Sequence, residues 1–165
     1  MPGYKAEHYY PVELGEVFQE RYKTIGKLGY GTASTVWLCH DTHNNGTYVA
    51  LKVYTNASKV HRQLPVYRHI NSLKSTHDGS NHIRKLLDSF ELDGPNGRHT
   101  CLVYQALGMN IEELKELLPD ESFDPDFMRA CLRPILRAMY VLHGEARIIH
   151  SDHLHAETAT QEAAD

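Results

Sequence analysis

Net charge is nearly absent from this chain. Seventeen Lys and Arg against twenty-one Asp and Glu leave its 165 residues at −4, so there is no electrostatic case for direct nucleic-acid contact or an anionic membrane. Cysteine is scarce too. Cys39, Cys101 and Cys131 form an odd, scattered set without metal-ligand spacing, which reads as reduced thiols of a cytoplasmic or nuclear protein. No apolar run approaches the roughly 18 residues of a membrane span. No basic start leads into an apolar stretch, so neither a membrane anchor nor a secretory leader is expected. Internal repeats and low-complexity segments are missing as well. The twelve histidines are spread along the chain, a compositional excess rather than a ligand set.

What is present reads as one globular domain. Hydrophobic residues make up 41% and charged residues 23%, ordinary proportions for a chain that buries a core. Residues 1–21, with Pro2, Gly3 and Pro11, read as an extended arm. Runs rich in Val, Thr, Trp and Tyr then predict strands over 22–29, 34–41 and 47–54, with Asn45-Gly46 closing the hairpin between the last two. Asn56 or Ser58 is placed to cap a helix running toward Leu73, although Pro65 sits inside it. Strands over 83–92 and 99–106 flank a turn at 93–97. Asn110 caps a helix over 111–118 that Pro119 ends, and a longer helix spans 126–143. In it Phe127, Cys131, Ile135 and Met139 run beside Met128, Leu132, Leu136 and Tyr140. So wide an apolar stripe marks a helix buried on most sides, and Pro134 predicts a kink. Residues 153–165, rich in Ala, Thr and Glu, read as a frayed tail.

Three segments carry chemistry. The first is Leu28-Gly29-Tyr30-Gly31-Thr32-Ala33-Ser34-Thr35-Val36, where one strand turns into the next. Its glycines let backbone N–H groups approach phosphate oxygens, and Leu28 and Val36 offer apolar surfaces to a purine. Alone, it is equally a plain glycine-containing hairpin. The second is Val49-Ala50-Leu51-Lys52-Val53. Alternation turns Ala50 and Lys52 to one sheet face, where a small side chain leaves room for a flat ring and the lysine supplies charge; alone, Lys52 is an ordinary solvated lysine. The third is Ile148-Ile149-His150-Ser151-Asp152, where a carboxylate can accept a proton from an attacking hydroxyl. A metal site from His150, Asp152, His153 and His155 fits no standard ligand spacing.

In this order the three segments resemble a eukaryotic protein kinase, and the chain is most similar to the SR-protein kinases, particularly the fungal ones. The resemblance rests on Tyr10-Pro11-Val12-Glu13-Leu14-Gly15 leading to Arg21-Tyr22, on Ser34-Thr35-Val36-Trp37-Leu38-Cys39, and on Val49-Ala50-Leu51-Lys52. It continues through Leu86-Leu87-Asp88-Ser89-Phe90, Gly94-Pro95-Asn96-Gly97-Arg98-His99 and Leu107-Gly108, covering roughly residues 9 to 152. It implies ATP as ligand and a protein Ser/Thr substrate, Arg/Ser-rich by analogy. Lys52 would hold the α- and β-phosphates under the loop from Gly29 to Val36, and Tyr104 would take the gatekeeper position. The Gln105 carbonyl and the Leu107 N–H would meet the adenine edge, with Asp152 as the catalytic-loop aspartate.

Four departures accompany the resemblance. Gln63 falls where kinases place the glutamate that pairs with the strand lysine, and an amide can bond Lys52 without neutralising it. Pro65 follows two residues later, costing about 3 kcal/mol unless the helix begins there. Glu157 or Thr158 stands where the metal-binding asparagine belongs, and no Asp-Phe-Gly follows. Mg²⁺ is thus expected for the family while its ligands are missing here, and catalysis by these residues alone is not expected. The expected fold is α+β, a five-stranded antiparallel sheet plus one helix over 22–106, then an incomplete helical lobe over 107–152. The 127–142 helix would then present an uncovered apolar stripe to a protein partner. The readings that remain are a truncated kinase chain, a non-catalytic module binding nucleotide or a partner, and a chain without a stable fold.

Overall fold

The computed structural model describes residues 5–44, 46–58, 63–118 and 120–149. They divide into two units, Met1–Ser72 with Arg84–Phe123 and Leu73–Ile83 with Asp124–Asp165.

The first unit is an antiparallel sheet with one helix packed on it. Its strands are β1 (Val17–Phe18), β2 (Tyr22–Tyr30), β3 (Ser34–Asp41), β4 (Thr47–Tyr54), β5 (Leu86–Gly94) and β6 (Gly97–Gln105), in the order β1-β2-β3-β4-β6-β5. The α+β reading holds, with a sixth strand that the sequence did not announce. Two residues are too short for a visible alternation, and β1 exists because Val17 and Phe18 pair with Lys23 and Tyr22. The β3–β4 connection uses Gly46 at a φ of +73°, a left-handed position suited to glycine. β5 starts at Leu86 rather than residue 83, and the β5–β6 turn is tighter than expected, with Gly94 paired to Gly97.

Alternation sorts the strand side chains onto two faces. One face buries Phe18, Tyr22, Leu51, Val53, Cys101 and Val103, and residues ahead of β1 pack on it. There Tyr10 sets its ring edge-on to Phe18 and His99, at centroid distances of 5.9 and 5.6 Å. The described part of the expected arm is therefore a strap across the sheet, beginning with a helical turn at Ala6–His8. The other face buries Tyr54, Leu86, Leu102 and Tyr104, with Leu64 and Tyr67 of helix α1 (Leu64–Ser72) against them. Because α1 starts at Leu64, Pro65 lies in the first turn, where its missing N–H would have had no helical partner. The expected penalty for an interior proline does not arise. Helix α2 (Ile111–Glu116) is shorter than expected and begins with a capping box between Asn110 and Glu113; Pro119 lies outside the described residues.

The second unit is built on helix α3 (Pro125–Tyr140), which ends in a wide turn at Val141–Glu145. The Asp124 carboxylate caps it, accepting from the N–H groups of Asp126 and Phe127 at 2.8 and 2.9 Å. A single turn, Asp78–His82, packs on the helix through an Arg137–Asp78 ion pair of 2.7 Å and a His77–Tyr140 ring contact. The apolar stripe is not buried on most sides but uncovered, as the second of the two expectations had it: Leu132, Ile135, Leu136 and Met139 are 42% to 62% exposed. Periodicity shows that a face is apolar but not what covers it.

Candidate functional site

Sheet register fixes which candidate residues share a side. Val36 is paired with Lys52 across β3–β4 and Gly29 with Val36 across β2–β3. Across β4–β6, Ala50 is paired with Tyr104 and Lys52 with Leu102. Cross-strand partners point to the same side of a sheet, so Gly29, Val36, Ala50, Lys52 and Tyr104 share the α1 face. With strands about 4.8 Å apart, the Gly29 and Lys52 backbones are about 10 Å apart.

The β2–β3 turn is closed by a 2.8 Å bond from the Gly31 N–H to the Ser34 carbonyl and tied to β4 by one of 2.9 Å from the Thr55 N–H to the Ala33 carbonyl. A Cβ added at Gly29 or Gly31 would meet nothing within 4 Å, and neither residue has a positive φ. The protein's own packing therefore does not require glycine at either position. Leu28, Tyr30, Thr32 and Ala33 are exposed, Val36 is half-buried, and Ser34 and Thr35 are buried. Leu28 sits at a register shift between Lys27 and Gly29, which frees it from a cross-strand partner.

Lys52 is half-buried, and its Nζ lies 4.8 Å from the centroid of the Tyr54 ring. Among the described residues no ion pair joins it to a carboxylate. Gln63 does not bond Lys52. It precedes α1, and its Oε1 accepts from the Tyr54 hydroxyl at 3.1 Å. Burial, then Tyr67, pushes the Tyr54 phenol up to about 12, so the ammonium rests on a neutral aromatic face.

Ala50 and Tyr104 are buried beside this lysine. Burial, and then a hydrogen bond with Tyr67, holds the Tyr104 phenol above its ordinary range. At the end of β6 the Gln105 carbonyl accepts from Arg84 Nη2 at 3.0 Å, and the same guanidinium lies 4.6 Å from the Tyr104 ring centroid. That carbonyl is therefore already engaged by a side chain at the edge of the sheet. Arg84 carries no motif that would have singled it out. Leu107 is exposed. Asp152, with His150 and Ser151, lies outside the described residues, as do Glu157 and Thr158. Among the described residues no group of three His, Cys, Asp or Glu side chains is placed to hold a metal ion, and the positions where the resemblance looks for Mg²⁺ ligands lie outside them.

On the opposite face, a cavity of about 530 Å³ lies between the strap and β2–β3, lined by Tyr9, Tyr10, Val12, Lys27, Tyr30 and Trp37 among others. Of the described candidate residues, only Tyr30 and Thr35 line it.

Comparison with known proteins adds an independent finding. Residues 22–154 match the family model described as the protein kinase domain. A serine/threonine protein kinase of Aspergillus fumigatus is 41% identical over 152 residues, covering 92% of this chain and 38% of the relative. The serine/threonine-protein kinase SRPK of Physarum polycephalum is 37% identical over 153 residues, 90% of this chain and 35% of its own length. SRSF protein kinase 3 of Mus musculus is 34% identical over 152 residues, 87% of this chain and 26% of its own length. The chain thus spans well under half the length of these relatives.

Proposed function

The chain belongs to the protein kinase family, and from that premise we propose that it is the nucleotide-binding part of a serine/threonine kinase of SR-protein-kinase type. The observation that carries the reading is the shared face of Gly29, Val36, Ala50 and Lys52, set by two consecutive strand registers. The adenine is proposed to lie between Leu28 and Val36 on one side and Ala50 on the other. Its edge would meet the Gln105 carbonyl, the Leu107 N–H and the Tyr104 end of the pocket. Lys52 would neutralise charge on the α- and β-phosphates, and the backbone N–H groups of the β2–β3 turn would bond phosphate oxygens. In the whole protein, Asp152 would accept the proton of a Ser or Thr hydroxyl as the γ-phosphate moves to it. Names among the relatives support an SR-protein substrate, and a cytoplasmic or nuclear location is proposed with it.

The second reading is a non-catalytic nucleotide binder. Gln63 in place of a carboxylate favours it. Both readings require ATP binding, and a melting-temperature titration tests them. ATP at about 100 times its dissociation constant adds about 2.7 kcal/mol to stability. Lys52→Ala is expected to lose most of that shift while melting like the wild type without ligand. No shift for the wild type at millimolar ATP sinks both readings. Phosphate transfer to an Arg/Ser peptide by the whole protein, with Mg²⁺ present, separates them.

A further inference from the structure

The strap and the glycine turn meet at one phenol. The Tyr9 hydroxyl lies 3.0 Å from the Gly31 carbonyl oxygen and 3.0 Å from that of Thr32. One O–H held at equal distance from two successive carbonyls fixes the direction of both peptide units. Tyr9 is itself fixed, because the neighbouring His8 carbonyl accepts from the Asn56 N–H at 3.1 Å and Tyr10 packs on the core. It approaches from the face opposite Lys52, since it lines one cavity with Lys27, Tyr30, Thr35 and Trp37. Trp37 and Thr35 pair with Leu51 and Val53, which flank Lys52 and point the other way.

In a planar trans peptide, the C=O of one residue and the N–H of the next point in opposite directions. Holding the Gly31 and Thr32 carbonyls against Tyr9 therefore turns the N–H groups of Thr32 and Ala33 away from the strap, toward the side that carries Lys52. We propose that Tyr9 is a positioning residue for nucleotide binding: from the far side of the sheet, its hydroxyl latches the glycine turn so that two backbone N–H groups face the phosphates. This rests on the nucleotide reading above and adds to it a residue outside the glycine loop. Without the latch the two peptide units are held only through the bonds that flank them, at the Gly31 N–H and the Ala33 carbonyl, and ordering them must accompany binding.

The test uses the 165-residue chain with ATP and adenosine as separate ligands, because adenosine carries no phosphate to meet the turn. Tyr9→Phe keeps the ring and removes only the donor. It is expected to weaken ATP binding about 3- to 10-fold, the loss of one modest hydrogen bond. Adenosine affinity should stay at the wild-type value, and the ligand-free melting temperature should fall by only about 2 to 4 °C. Amide hydrogen exchange at residues 31–34 should speed up without ligand. Tyr10→Phe, whose hydroxyl bonds Glu16 instead, should leave ATP affinity and turn exchange unchanged. Equal ATP affinity in Tyr9→Phe and wild type overturns the proposal, as does an equal loss for ATP and adenosine, which marks a merely structural role. A wild-type chain that binds neither ligand overturns the nucleotide reading itself, and the role of Tyr9 with it.

Discussion

Two residues show how burial and empty space set what a substitution does here. Asp41, with 3% of its side chain exposed, accepts from Arg21 Nε and Nη2, each at 2.7 Å. The Arg21 bonds hold its carboxyl below the usual carboxylate range. A depressed folded pKa stabilises the fold at pH above the unfolded value, about 3.9, and that contribution is lost as pH falls through the folded value. Asp41→Asn should cost about 1 to 2 kcal/mol at pH 7, the lower part of the charged range because a third of Arg21 meets water. The gap between variant and wild type should narrow toward pH 2, and urea unfolding at both pH values measures it. Gly31 is the reverse case, a position with room to spare. Gly31→Ala should leave stability equal or raise it by up to about 1 kcal/mol, since alanine narrows the unfolded ensemble. Its ATP affinity should fall, because the added methyl occupies the ligand's approach; calorimetric titration beside a thermal melt separates the two effects.

At the scale of elements, the close approach of the 78–82 turn to α3 is the tightest constraint. An added Cβ at Gly79 would run into the carbonyl oxygen of Arg137. Gly79→Ala should therefore cost about 1 to 3 kcal/mol, the usual range for overpacking, and raise amide exchange in α3 while leaving β2–β4 protected. Element types were mostly readable in advance. The strands carry β-branched and aromatic alternation, Asn110 announces α2, and Gly46 announces the β3–β4 turn. Apart from the unannounced β1, the errors lie at ends. α1 starts at Leu64 rather than near Asn56, because a proline that is costly inside a helix is acceptable in its first turn. α3 starts at Pro125 because Asp124 is the residue that supplies the cap.

For the molecule as a whole, the buried thiols and phenols predict sensitivity to alkali. Burial pushes Cys39 up to about 11, and burial with the Glu16 carboxylate pushes Tyr10 up to about 12; Tyr54 is also raised to about 12. Each keeps its proton in the folded chain at pH values where the unfolded chain has released it. Stability should be full below about pH 8.5, the unfolded thiol value, and fall as pH rises toward 11 and then 12. Melting temperatures in reducing buffer from pH 7 to 11 check this, and Cys39→Ala should flatten the first part of the decline. A melting temperature independent of pH over that range would contradict it.

The sequence by itself determined the order of five of the six strands and of the longer helices, the glycine turn ahead of the lysine strand, and the resemblance to protein kinases. These depend on local alternation, turn chemistry and spacing, which a linear chain displays. Only the tertiary structure decided that Gln63 bonds Tyr54 rather than Lys52, that Arg84 braces the end of β6, and that Tyr9 reaches the glycine turn. Those contacts join residues 9, 21 and 22 positions apart, the last two through backbone carbonyls, and no periodicity links such positions. Strand pairing and the path of the strap brought them together.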